Sequence, residues 1–169
     1  LAYDSFDCGR AGTGYVNLYN GDVVIARPLT QCGGNRMPVS ITAYYGAQLS
    51  GVTARVGSHW RLSCDQCMTK SYINDELYFI WSKGDGSQHY FRKPNSSAAY
   101  YEDLSGLSLK LTDNGTYTEI EDKGGTVMRF ESPQDALDDT GRLLSITDSC
   151  GNTNTFQYGD WRLERITDG

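Results

Sequence analysis

The stretch LSLKLTDNGTYTEIEDKGGTVMRF, residues 107–130, decides the fold class of this chain. Leucines alternate with polar residues at its start, which is typical of a β-strand with one buried face. Asn114-Gly115 and Gly124-Gly125 interrupt the alternation, and such dipeptides tolerate the positive φ that tight hairpin turns require. The stretch therefore predicts consecutive antiparallel hairpins, with strands over residues 107–111, 116–120 and 126–130.

The same pattern extends through most of the chain. Asn20-Gly21, Asp85-Gly86 and Gly151-Asn152 stand between further short alternating runs. Helical periodicity is nearly absent, and at most one short helix is expected near residues 133–139, with Pro133 at its first position. The prediction is an all-β chain of consecutive antiparallel hairpins, with further strands over 16–19, 22–26, 38–45, 59–68, 76–82 and 88–93.

Composition and charge exclude several classes of protein. The 169 residues are 38% hydrophobic and 12% aromatic, which is enough apolar surface to close a core and excludes a disordered tail. The net charge of −6 disfavours nucleic acid as a partner, because an acidic surface repels phosphate. The apolar runs are far shorter than the roughly 20 residues of a membrane helix, so no membrane span is expected.

The chain begins with Leu1 rather than Met, and no signal peptide is recognisable after it. We interpret the sequence as an internal piece of a longer polypeptide. Residues 1–13 are polar and are expected to form a loose leader. A β-rich region is expected over residues 14–135, followed by hairpin repeats over residues 136–169.

The last segment contains a repeat. Arg142-Leu-Leu-Ser-Ile-Thr-Asp148 aligns with Arg162-Leu-Glu-Arg-Ile-Thr-Asp168 at an offset of 20 residues. One such period holds a turn, a strand, a turn and a strand. A single hairpin cannot bury its apolar face, so repeated hairpins are expected to stack on their neighbours around Met128 and Phe130.

These residues resemble the repeat of the Rhs/YD-repeat family, G-R-L-x-x-I-x-D-x-x-G-N-x-x-x-Y-x-Y. The Tyr–Asp pair that names the repeat is met only with one inserted residue, in Tyr158-Gly-Asp160. Segments 16–22, 38–45, 57–62, 113–117 and 122–126 are similar to the region that precedes the repeats in that family, in the same order. The repeat-defining residues are Gly141, Leu144, Ile146, Asp148, Gly151, Phe156, Tyr158, Ile166 and Asp168.

The resemblance implies a structural role in a large secreted or cell-surface bacterial protein. In that family the hairpins wind into a curved, stacked β-sheet spiral, which closes as a shell around a C-terminal toxin or effector domain. The expected partner is therefore the rest of the same polypeptide, with its further YD repeats and its effector domain. No segment here matches the autoproteolytic part of the family, and no cofactor is implied.

The alternative function is a cell-surface carbohydrate-binding or adhesion module. Relatives of the family in animals, the teneurins, act in adhesion, and carbohydrate binding has been proposed for such repeats. Exposed aromatic rings could stack on sugars, although packing within the sheet is the favoured interpretation for most of them. The candidate glycan-stacking residues are Trp60, Tyr78, Trp81, Tyr90, Tyr100 and Tyr101.

Candidate catalytic groups are few. Glu119 and Glu121 share one strand face and could form a glycosidase pair, but a solvated strand face is the favoured interpretation. His59 and His89 have no recognisable partner, and neither G-x-S-x-G nor a P-loop is present. We therefore expect no enzymatic activity. A calcium site is an alternative to a solvated acidic helix for Asp135, Asp138 and Asp139.

The five cysteines include one CxxC pair, Cys64-Asp-Gln-Cys67. Zinc would need two more ligands, and a redox pair would sit at a helix N-terminus, whereas residues 60–64 are expected to be a strand. Structural cysteines without a metal are expected, with a disulfide and zinc as the alternatives. Cys150 lies in an expected turn and should be exposed.

Overall fold

The computed structural model describes residues 3–32, 36–46, 49, 57–134, 140–160 and 162–169. This part of the chain is all-β and antiparallel, and its helical backbone is limited to a 3-10 turn at Gly9–Ala11 and the single position Leu49. The prediction of the fold class is confirmed at that level. The strands are β1 (Tyr3–Asp7), β2 (Thr13–Asn17), β3 (Val23–Cys32), β4 (Val39–Gly46), β5 (Trp60–Leu62), β6 (Cys67–Ile73), β7 (Glu76–Ser82), β8 (Gln88–Arg92), β9 (Tyr101–Asp103), β10 (Lys110–Asp113), β11 (Tyr117–Glu121), β12 (Val127–Glu131), β13 (Gly141–Thr147), β14 (Thr153–Gly159) and β15 (Arg162–Thr167).

The first of two compact units holds a five-stranded sheet in the order β1-β2-β3-β4-β5. It comprises Leu1–Gly33, Pro38–Asp65 and Lys83–Gly86. The hairpin expected across Asn20-Gly21 is present, with Val16 opposite Val23. Residues 3–7, which were expected in a loose leader, form the edge strand β1 against β2, although all five of their side chains are exposed.

The second unit is built on a ten-stranded sheet in which eight strands close on themselves. Strands β6 to β12 follow one another around the barrel, and β13 closes it by pairing with both β12 and β6. Strands β14 and β15 extend from β13 outside the closed ring. The sequence did not predict this closure, which replaces two sheet edges by paired backbone.

The interior of the barrel follows from the alternation of each strand. Side chains at every second position point inward, and most of the bulky apolar ones are completely buried. Phe79 meets Tyr101 edge to face at 4.8 Å between ring centroids. Each fully buried large side chain contributes roughly 1.5–3 kcal/mol of transfer free energy. The fully buried set comprises Met68, Phe79, Phe91, Leu111, Ile120, Phe130 and Leu143.

Two expected strands are shorter than the alternation suggested. The strand expected over 107–111 begins only at Lys110, because Gly106 and Ser108 have φ of 79° and 58°. The strand expected over 59–68 is interrupted after Leu62, whose N–H donates to the Asp65 carboxylate at 2.8 Å. Local hydrogen bonds of this kind compete with the sheet ladder.

The helix expected near residues 133–139 falls mainly on residues 135–139, which lie outside the described residues. Pro133 and Gln134 are described and are not helical. No helix in the described part of the chain has the length and apolar character needed to cross a bilayer.

Candidate functional site

The repeat expected from the sequence is present as two strand pairs with one register. Strand β13 pairs with β12 in the same register in which β15 pairs with β14. Each paired residue of β13 corresponds to the residue 20 positions later in β15. Both pairs contain a bulge at the same place, which leaves Leu144 and Glu164 without an opposite residue. The last segment was expected to dock around Met128 and Phe130, and β13 does pair with β12 there, with Ile146 opposite Met128 and Leu143 opposite Phe130. The equivalent pairs are Val127–Thr147 and Thr155–Thr167, Met128–Ile146 and Phe156–Ile166, Arg129–Ser145 and Gln157–Arg165, and Phe130–Leu143 and Tyr158–Leu163.

The turns before β12 and β14 are also equivalent. The Asp148 carboxylate accepts hydrogen bonds from the backbone N–H groups of Cys150 and Asn152, both at 2.9 Å. The side-chain amide of Asn152 donates to it as well, at 2.7 Å, and these bonds hold the Asp148 pKa below its ordinary value. Asp122 accepts from the Thr126 N–H at 2.8 Å, and this bond lowers its pKa in the same way.

The two repeat-defining glycines meet different requirements. Gly151 has φ of 87°, in the left-handed region that a side chain would strain. Gly141 is buried in extended backbone, and a Cβ there would overlap the carbonyl oxygen of Glu131. Gly141 therefore allows a close approach of two strands at the point where the barrel closes.

Arg142 of the closing strand β13 pairs with Glu131 of β12 and also contacts the repeat hairpin β14–β15. Arg142 donates to both oxygens of Glu131, from Nε at 2.8 Å and from Nη2 at 2.6 Å. Its guanidinium lies 4.9 Å from the centroid of the Tyr158 ring, and Nη1 donates to the Asp160 carbonyl at 3.0 Å. The role of Arg142 could have been suspected from its repetition as Arg162, whereas nothing in the sequence singled out Glu131.

The other repeat-defining residues differ in burial. Phe156 is buried, Leu144, Ile146, Tyr158 and Ile166 are half-buried, and Asp168 is exposed. The buried and half-buried members lie on the strands β13, β14 and β15.

The candidate glycan-stacking aromatics lie in both compact units, one in the first and five in the second, and they differ in burial. Trp81 and Tyr101 are buried inside the barrel, where Trp81 donates to the Gln66 side chain at 3.0 Å. Trp60 lies in the first unit, 5.2 Å from the Tyr45 ring. The other three are half-buried in the second unit, and their hydroxyls donate to neighbouring side chains: Tyr78 to Glu76, Tyr90 to Gln88 and Tyr100 to Glu102.

A cleft of about 580 Å³ opens between the start of β7 and the segment that follows β8. Its charged residues are Glu76 and Arg92, which pair at 3.2 Å, and Lys93. The Lys93 ammonium lies 5.5 Å from the centroid of the Tyr101 ring. The remaining lining is part apolar and part polar: Leu77, Pro94, Tyr101, Asn95 and Ser96.

His89, Asp103 and Ser105 form a cluster that no sequence pattern predicted. The Ser105 hydroxyl and the Asp103 carboxylate both approach Nδ1 of His89, at 3.3 and 3.9 Å. A catalytic triad needs serine and aspartate on opposite nitrogens of the ring, so this geometry does not activate Ser105. Asp103 instead accepts the backbone N–H groups of Ser105 and Leu107, which positions the loop before β10.

Glu119 and Glu121, the candidate glycosidase pair, differ in their surroundings. Glu119 is held by Arg129 through Nε and Nη2 at 2.9 and 2.6 Å, while Glu121 is exposed. Among the described residues, no three His, Cys, Asp or Glu side chains are grouped as a metal site would require. The calcium alternative rested on Asp135, Asp138 and Asp139, which lie outside the described residues.

The cysteines of the CxxC pair occupy different local structures. Cys64 is buried in the turn after β5, so the strand expected over 60–64 is wrong at its end, and Cys67 begins β6. Cys150 is exposed in the turn between β13 and β14, as expected. Comparison of the chain with protein-family models and with curated proteins finds no match.

Proposed function

We propose that this chain is a non-catalytic structural part of a large secreted or cell-surface bacterial protein of the Rhs/YD-repeat type. Its hairpins would form the start of a curved, stacked sheet that continues as a spiral shell around a C-terminal toxin or effector domain. The role is physical: paired strands separate an interior from solvent.

The observation that carries this proposal is the repeated register with its repeated bulge. Two strand pairs share four equivalent residue pairs and one bulge position. The 20-residue offset seen in the sequence relates β13 to β15, whereas their partners β12 and β14 are offset by 28 residues, from Val127 to Thr155. A lone two-stranded hairpin is marginal in water, so β14–β15 depends on the strand it joins. Such a unit suits an array in which each hairpin is stabilised by its neighbour.

The edges of the sheet support continuation of the array. On β13, Ser145–Thr147 pair with β14. The residues at the same offset on β15 are Arg165–Thr167, and within the described residues no strand pairs with that edge of β15. We propose that the first strand of a further hairpin pairs there.

The absence of catalysis is part of the proposal. It is supported by the wrong geometry at His89 and by the capture of Glu119 in an ion pair with Arg129. Neither group meets the requirement for a correctly placed, unoccupied acid, base or nucleophile.

A repeat extension tests the stacking. A further copy of residues 149–168 is joined after Asp168, so that its first strand can pair with β15. We expect a higher melting temperature, a single unfolding transition, and protection of the added residues from protease, because nearest-neighbour contacts stabilise each unit of an array.

The matched control carries the same extension with serine at the positions of Phe156 and Ile166 in the added copy. This extension should remain sensitive to protease and should leave the melting temperature unchanged. Equal behaviour of the two extensions would refute the stacked-repeat function. The enclosing role is tested on the full-length protein, whose effector domain should resist protease until the sheet is unfolded.

A further inference from the structure

The cleft beside β7 and β8 is independent of the repeat hairpins. Its volume of about 580 Å³ lies within the roughly 300–1,000 Å³ typical of small-molecule sites. All of its lining residues belong to the second compact unit.

The net charge of the cleft is positive, opposite in sign to that of the whole chain. Arg92 and Lys93 face one carboxylate, Glu76, whereas the whole chain has a net charge of −6. Arg92 pairs with Glu76, but no carboxylate of a described residue pairs with Lys93. The Lys93 ammonium is therefore exposed, held near the Tyr101 ring, and able to take an anionic partner.

The polar atoms of the cleft suit hydroxyl groups. Oε2 of Glu76 accepts from Arg92 and from the Tyr78 hydroxyl, both at 3.2 Å, while no described residue donates to Oε1. The Asn95 side chain uses its oxygen to accept the Ser97 N–H at 3.1 Å, which leaves its amide to donate. Leu77 and Pro94 add apolar surface beside these groups.

We propose that this cleft binds a carboxylate-bearing sugar, such as one uronic acid residue of an acidic polysaccharide. The sugar carboxylate pairs with Lys93, its hydroxyls bond Glu76 and Asn95, and its apolar face rests on Pro94 and Leu77. Glu76 favours a monoanion over a phosphate dianion, because a second negative charge would be repelled more strongly.

Titration of the whole chain with glucuronate, followed by calorimetry and by chemical shifts of the cleft residues, tests the proposal. Glucuronate should bind, and glucose and acetate at the same ionic strength should not. Lys93→Gln should weaken glucuronate binding by about two- to fivefold, since an ion pair at an exposed ammonium is worth up to about 1 kcal/mol.

Lys123→Gln is the matched control, because Lys123 is an exposed lysine in the turn before β12 and leaves the cleft intact. Ser96→Asp is a second variant at an exposed position, and its added carboxylate should abolish binding without disturbing the fold. The proposal is overturned by equal binding of glucose, by equal binding of acetate, by no binding of glucuronate, or by equal losses in Lys93→Gln and Lys123→Gln.

Discussion

Replacing Gly141 by alanine tests whether the close approach of β13 and β12 is required for barrel closure. The added Cβ would overlap the carbonyl oxygen of Glu131, and it would lie 2.8 Å from the carbonyl carbon and 3.3 Å from Cδ of Pro133. These atoms cannot withdraw freely, because Glu131 is paired with Tyr117 of β11 and Pro133 is completely buried. One of the two strands must therefore shift.

Two opposing effects set the change in the free energy of unfolding that Gly141→Ala causes. Inserting a methyl group into packed structure costs about 1–3 kcal/mol. Replacing glycine by alanine restricts the unfolded chain, which returns roughly 0.4–1 kcal/mol. The net loss should be about 1–2 kcal/mol, and a chain of this length loses about 2–4 °C of melting temperature for each kcal/mol.

Calorimetric unfolding of Gly141→Ala and of Gly46→Ala supplies the measurement. Gly46 is a buried strand glycine whose added Cβ would meet Leu49, Val23 and Val24 at an ordinary 3.5 Å. That control should be neutral or slightly stabilising. An unchanged melting temperature for Gly141→Ala, or an equal loss in both variants, would show that the close approach is not what fixes glycine at this position.

Two further predictions concern the turn between β13 and β14. The folded state holds the Asp148 pKa below its unfolded value, so this carboxylate stabilises the fold above an unfolded pKa of about 3.9 and loses that effect as the pH falls through the folded pKa. Asp148→Asn should unfold more easily than the parent chain at pH 7, and chemical denaturation should show the difference shrinking below about pH 4; a constant difference would contradict the linkage. Cys150, exposed beside it, should react with a thiol reagent in the native state, and labelling that requires denaturant would contradict its exposure.

The sequence predicted local structure better than long-range structure. Hairpins such as β7–β8 and β10–β11 were predicted from their turn dipeptides, because a turn and its two flanking strands are adjacent in the chain. The failures at Leu107 and after Leu62 also have a local cause, since the carboxylates of Asp103 and Asp65 accept the backbone N–H groups of Leu107 and Leu62.

The candidate sites were harder to predict for a different reason. The sequence analysis grouped Tyr78 with Trp81 as candidate stacking residues, although positions three apart on a strand face opposite sides of the sheet. Alternation alone also cannot say which side faces the barrel interior. The cleft joins the start of β7 to the segment after β8, and its ion pair between Glu76 and Arg92 depends on the register of two strands. The turn at Asp85-Gly86 predicted the β7–β8 hairpin, but it did not indicate that Glu76 and Arg92 would pair across it.

Closure of the barrel and extension of the repeats both depend on strand β13. Its first residues, Gly141 and Arg142, pair with β6, and its last residues, Ser145–Thr147, pair with β14 on the same side. The bulge at Leu144 lies between these two parts, and a bulge bends a strand and increases its twist. The bend gives one strand two successive neighbours, so the barrel can close while the sheet continues outward. Strand β15 has the same bulge at Glu164, so its backbone is expected to bend and twist at the position equivalent to Leu144.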